Sequence, residues 1–129
     1  MVLLSGRTKK FLSDDPNGMV CNRDEVKQWE TFTLHPLADH KIALMSGRTG
    51  KYLSDNPNGM VCDKREIGHW ETFAIHHRAD NKIALSSGRT GMYLSDDPNG
   101  LVCDKSKIGH WEEFAMIDSQ MFTQHAKGE

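Results

Sequence analysis

The side chains best suited to chemistry here are aromatic and polar groups that recur in threes. Trp29, Trp70 and Trp111 each begin a Trp-Glu-x-Phe run. Shortly before them come Asp63-Lys64 with His69 and Asp104-Lys105 with His110, while the first copy carries Asn22-Arg23 and Gln28. Asp, Lys, Asn and His supply the donors and acceptors that fan around the vicinal hydroxyls of a saccharide. The plainer reading makes them solvated turn residues, and composition does not separate the two. The tryptophans also admit two readings, as platforms for a sugar ring or as plugs beneath the hairpins. The core reading is favoured, because large aromatics dominate core burial.

Other chemistries fit less well. Cys62 with His69 and Cys103 with His110 suggest a metal, but the first copy has Gln28 at the histidine position. Zinc sites use four ligands in recognisable pairs, and none are present, so no metal or other cofactor is expected. Buried cysteines on a strand explain the pattern better. Asp14-Asp15-Pro16-Asn17-Gly18 faintly resembles a calcium loop, but Ser13 holds the first ligand place and Pro16 stiffens the segment, so a hairpin turn is expected. No nucleophile elbow, phosphate-cradling glycine loop or zinc-protease signature occurs. Repetition argues in the same direction. An active site needs one asymmetric set of groups, whereas three equal copies present three equivalent surfaces, which suits multivalent binding rather than an enzyme.

The elements that must position these groups follow from the repeat. Ser5-Gly6-Arg7-Thr8 recurs 41 residues on at Ser46-Gly47-Arg48-Thr49, and again at Ser87-Gly88-Arg89-Thr90. Pro16-Asn17-Gly18, Pro57-Asn58-Gly59 and Pro98-Asn99-Gly100 keep the same register, as do the Val-Cys pairs ending at Cys21, Cys62 and Cys103. Gly or Pro about every ten residues leaves little room for stable helices. Three copies are too few for a propeller, which needs about four blades.

Each unit reads as four short strands, in the second copy Lys41 to Met45, Lys51 to Ser54, Met60 to Asp63 and Glu71 to His76. Asn56-Pro57-Asn58-Gly59 suits a tight turn between the middle two. The domain is therefore all-β, one unit of 129 residues with repeats 1–41, 42–82 and 83–129 and pseudo-threefold symmetry. From Asp118 the tail lacks the Lys-Ile-Ala-Leu start of another unit, as expected if the third copy closes onto Val2-Leu3-Leu4.

Charged residues make up 26% and hydrophobic ones 37%, with a formal net charge of -2 and the signs interspersed. That gives no basic footprint for nucleic acid, and no apolar run long enough for membrane insertion. The amino-terminal residues form no classical leader. With three free, reduced thiols, the expectation is a cytoplasmic protein or one released without a signal peptide.

The wording Lys-Ile-Ala-Leu-x-Ser-Gly-x-x-Gly-Lys-Tyr-Leu-Ser, then Pro-Asn-Gly-x-Val, then Ile-Gly-His-Trp-Glu-x-Phe, resembles the β-trefoil repeat of the fascin and hisactophilin group. The small repeats, each with Trp near its end, are also similar to R-type lectins and the short mussel-type trefoil lectins. The resemblance implies a β-trefoil. Its lectin side implies multivalent binding of galactose-containing glycans on glycoproteins or glycolipids, with agglutination. Similar lectins place a polar residue after strand 2, which maps to Ser54 with Asp55, to Ser95 with Asp96, and to Asp14 in a weaker first site. The Gln two residues before the R-type Trp is replaced here by Lys27, Gly68 and Gly109, and the lectins' His-Pro-x-Gly-Gly motif is absent. The fascin side implies the alternative, an actin-binding or protein-interaction module. That module would act best as a homodimer, with His35, His40, His76 and His77 lending pH sensitivity.

Overall fold

The computed structural model describes residues 1–118. The first copy forms β1 (Val2–Ser5), β2 (Phe11–Asp15), β3 (Gly18–Arg23) and β4 (Phe32–Leu37). The second forms β5 (Lys41–Ser46), β6 (Tyr52–Asn56), β7 (Gly59–Lys64) and β8 (Phe73–His77). The third forms β9 (Lys82–Ser87), β10 (Tyr93–Asp97), β11 (Gly100–Lys105) and β12 (Phe114–Ile117). A single 3-10 turn precedes the last strand of each copy, at Gln28–Glu30, His69–Glu71 and His110–Glu112.

The Pro-Asn-Gly signals make hairpins of the middle strands. Asn56 pairs with Gly59, leaving Pro57 and Asn58 as the turn, and the Asn58 N–H donates to Asn56 Oδ1 at 2.9 Å. Gly59 sits at φ +133°, a region side chains avoid, which is why glycine must follow the asparagine. A register shift between Tyr52 and Leu53 bends this hairpin out of the sheet, and the same shift recurs at Phe11/Leu12 and Tyr93/Leu94.

The first and fourth strands build the wall. Antiparallel ladders run from β1 to β12, β12 to β9, β9 to β8, β8 to β5 and β5 to β4. Between β4 and β1 two hydrogen bonds bridge the gap, Phe32 N–H to Met1 O at 2.8 Å and the Met1 amine to Phe32 O at 2.6 Å. Met1 thus takes the place that Ile42 holds opposite Phe73 and Ile83 opposite Phe114. Six wall strands capped by three hairpins make a β-trefoil. The expected return of the third copy onto the first is present, with Leu3 opposite Met116 and Leu4 opposite Ala115. Beyond Asp118 the tail lies outside the described residues.

The core repeats with the sequence. Each copy buries a matching apolar set, which in the second is Ile42, Leu44, Leu53, Met60, Cys62 and Phe73, with the half-buried Met1 in the place of Ile42 in the first. Phe32, Phe73 and Phe114 are at most 1% exposed. Full burial of such a side chain is worth about 1.5–3 kcal/mol, so one copy alone, with its apolar side open, lacks most of this stabilisation. The cysteines lie on the third strands and are buried and free, as the sequence suggested. The fourth strand begins at Phe73 rather than Glu71, because His69–Glu71 winds into the 3-10 turn.

Candidate binding grooves

The Trp-Glu pair behaves opposite to its hydropathy. Glu30, Glu71 and Glu112 are buried at 3–6% exposure, while Trp29, Trp70 and Trp111 are 37–39% exposed. The core placement favoured for the tryptophans is therefore corrected. The 3-10 turn aims the carboxylate inward and the indole outward, and the Phe two residues after the Glu fills the core instead. Burial of a carboxylate is tolerated only with hydrogen bonds to it. Glu71 accepts from Ser54 Oγ at 2.6 Å and from the Gly68 N–H at 2.8 Å. Ser13 and Ser95 serve Glu30 and Glu112 in the same way, each at 2.6 Å.

A second set of buried carboxylates joins the copies. Asp14 accepts from Ser46 Oγ at 2.6 Å, and its carbonyl oxygen accepts from Arg48 Nε at 2.7 Å. Asp55 is held alike by Ser87 and Arg89. Asp96 is held by Ser5 and Arg7, which closes the cycle from the third copy to the first. Between Ser and Arg, the Gly47 N–H donates to Thr31 O at 2.8 Å. A Cβ on Gly47 would meet that oxygen at 2.7 Å and Gln28 O at 2.8 Å. Ser-Gly-Arg-Thr is thus a clasp that grips the preceding copy at its Asp and at its 3-10 turn. In the sequence this motif marks the repeat and the turn after each first strand, and its grip on the recurrent Ser-Asp of the preceding copy is visible only in the fold.

Each 3-10 turn, with the loop before it, walls an open groove. The first groove, about 560 Å³, is lined by Asn22, Arg23, Lys27, Gln28 and Trp29 among others. The second, about 600 Å³, runs from Lys64 to Glu71 and includes His69 and Trp70. The third, about 520 Å³, runs from Lys105 to Glu112 and includes His110 and Trp111. Arg23 packs 5.7 Å over the Trp29 ring and ion-pairs with Asp15; Arg7 lies 5.7 Å over Trp111. Such cation–π contacts are worth about 0.5–1 kcal/mol at exposed sites and steady the indole planes. The backbone N–H of Asn99 and then Lys105 hold the Asp97 carboxyl below the usual carboxylate range. Asp104 and Asp97 in turn push Lys105 upward. Burial pushes the three thiols up, so they stay protonated and inert as nucleophiles.

The residues singled out from sequence divide cleanly. Lys64 and His69, Lys105 and His110, and Asn22, Arg23 and Gln28 all line grooves. Asp63 and Asp104 stand exposed beside them, ion-paired to Lys64 at 3.7 Å and Lys105 at 2.8 Å. Ser54, Asp55, Ser95, Asp96 and Asp14 do not belong with these. All five are at most 3% exposed, and the inter-strand and inter-copy hydrogen bonds above occupy their side chains, so they are corrected from ligand contacts to scaffold. Of the histidines, His40 and His77 are exposed, whereas His35 and His76 are half-buried, edge-on to Tyr52 and Tyr93. Among the described residues no group of three or more His, Cys, Asp or Glu side chains could hold a metal ion.

Three copies, three hairpins and three equivalent grooves define the chain as a β-trefoil protein of the threefold-repeat kind. It belongs to the fascin domain family, whose profile its sequence matches over residues 7–116. Among solved structures it is similar to ThreeFoil, a designed threefold-symmetric protein. The TM-score is 0.83 at 12% identity, covering 91% of this chain and 96% of that one. It is also similar to SeviL bound to asialo-GM1 saccharide, with a TM-score of 0.77 at 9% identity, covering 92% and 95% of the two chains. A mosquitocidal holotoxin matches with a TM-score of 0.75 at 8% identity over 88% of this chain, which spans only 16% of the toxin. No curated protein sequence matches the chain.

Proposed function

We propose that the protein is a multivalent carbohydrate-binding protein whose three grooves take galactose-containing glycans. The observation that carries this reading is the outward placement of Trp29, Trp70 and Trp111, each half-exposed in an open groove beside polar side chains. An indole face offers the apolar C–H side of a sugar a flat partner, while His, Lys and Asp at the rim supply hydrogen bonds to its hydroxyls. SeviL, which shares the fold, carries asialo-GM1 saccharide in its structure, and that supports a glycan over other small ligands. Each open groove would hold its sugar weakly, about 4 kcal/mol for a millimolar contact. Two or three sites engaged together raise avidity by about 10²–10⁴ without new contacts.

The test is a glycan array with free galactose as competitor. Galactose-reversible binding that drops when Trp70 and Trp111 are changed to Ala, or His69 and His110 to Ala, is the expected result. Silence across the array at high protein concentration sinks the reading. Membership of the fascin domain family supports a second one, an actin-binding or protein-interaction module. Co-sedimentation with filamentous actin at pH 6 and pH 7.5 decides it, and absence of pelleting at both values removes it.

A further inference from the structure

The three grooves share a backbone but not a charge. Across the groove mouth the first copy carries Asp24-Glu25-Val26-Lys27, net -1. The second carries Arg65-Glu66-Ile67-Gly68, net 0, and the third Ser106-Lys107-Ile108-Gly109, net +1. The steepest change is at one position, where Glu25 and Glu66 are replaced by Lys107.

Pairing sharpens the difference between the first and third grooves. In the second, Arg65 is exposed with no ion pair among the described residues, but Glu66 follows it at the mouth and balances its charge. In the first groove Lys27 faces Glu25 at 3.8 Å, and Arg23 lies between Asp15 and Glu30. In the third, Lys105 is occupied by Asp104 at 2.8 Å and Asp97 at 3.3 Å. Lys107 is exposed at the mouth and has no ion-pair partner among the described residues. The clasp arginines Arg7, Arg48 and Arg89 are each paired to a buried Asp in the same way, and Arg7, which also lies 5.7 Å over Trp111, adds to the positive charge beside the third groove.

From this we infer that the third groove selects acidic saccharides, galactosides bearing a sulfate or carboxylate, with Lys107 as the specificity-determining cation beside Trp111. The first two grooves, where a Glu holds the same position, take the neutral sugar. This rests on the carbohydrate-binding reading above. A single exposed charge pair contributes up to about fivefold in affinity at low ionic strength, a gain that shrinks as salt rises.

The experiment follows the three indole N–H signals of ¹⁵N-labelled full-length protein, assigned with Trp→Phe variants. The ligands are lactose, 3′-sulfated lactose, sialyllactose and sodium sulfate. The Trp111 signal is expected to respond to the two acidic sugars at several-fold lower concentration than to lactose, with Trp29 and Trp70 showing no such preference. Lys107→Glu should abolish the preference, and Glu66→Lys should confer it on the Trp70 signal. Equal response of all three signals to charged and neutral sugars, unchanged by the swaps, overturns the inference while leaving the lectin reading intact. Saturation of the Trp111 response by sodium sulfate alone also overturns it, in favour of a simple anion site. No response to any sugar refutes the lectin reading itself.

Discussion

Trp70 and Glu71 are neighbours with opposite surroundings, and each makes a measurable prediction. Glu71 lies in the interior with two donors aimed at it, from Ser54 and the Gly68 backbone. Glu71→Ala strands both, and leaving donors to a charged acceptor unmatched costs about 1.5–3 kcal/mol. Glu71→Gln, which can still accept, should recover part of that loss in chemical denaturation. Trp70→Ala should behave in the reverse way. With 37% of the residue already in water, its loss in stability should fall well below the about 3–5 kcal/mol of a core aromatic. A cost inside that range would mean that the indole serves packing rather than the groove.

Between elements, the clasps are what convert three hairpin units into one ring. Asp14, Asp55 and Asp96 occupy equivalent places, so each Asp→Ala variant should lose about the same stability, about 2–3 kcal/mol, because each leaves a buried serine hydroxyl unmatched and takes the carboxylate from an arginine that keeps only its bond to the backbone carbonyl. Unequal losses in urea titrations would show that the copies are not mechanically equivalent. The glycines allow a sharper comparison. Gly47→Ala drives a Cβ to within 2.7 Å of a backbone oxygen and should cost well over 1 kcal/mol by forcing the second copy off the first. At Gly68 a Cβ meets no backbone, only the Glu71 carboxylate at 3.3 Å, and the first copy already accommodates Lys27 at that place. Gly68→Ala should therefore stay within about 0.5 kcal/mol of the parent in the same titration.

For the molecule as a whole, β3, β7 and β11 all touch one another and bring Cys21, Cys62 and Cys103 into the single core. Burial raises each thiol above its ordinary value of 9.0. Above about pH 9 the unfolded chain ionises these thiols while the folded one keeps them protonated. The folded state then binds more protons, and stability falls as pH rises, by up to about 1.4 kcal/mol per pH unit for each thiol. Melting temperatures from pH 7 to 10.5 should decline steeply for the parent and less for a triple Cys→Val variant. Parallel curves would assign the alkaline loss to other groups.

The strict 41-residue repeat, the Pro-Asn-Gly turns and the alternating apolar positions were enough to read a three-copy all-β domain, because those signals are local and recur without interruption. The resemblance of the repeat to the fascin and hisactophilin group made that domain a β-trefoil. The buried cysteines were legible for the same reason, and so were the groove residues near His69 and His110, which lie beside the turn they decorate. Two things were not legible. Hydropathy places Trp inside and Glu outside, and only the 3-10 turn, with Ser54 and a backbone N–H waiting behind it, reverses that order. Ser-Asp and Ser-Gly-Arg-Thr lie more than thirty residues apart along the chain, and only ring closure brings Asp14 to Ser46 and Asp96 back to Ser5. Sequence thus determined the repeating elements through local preference. Tertiary structure decided which polar residues became scaffold and which aromatics were left exposed in the grooves, because burial and hydrogen-bond partners are properties of the assembled ring.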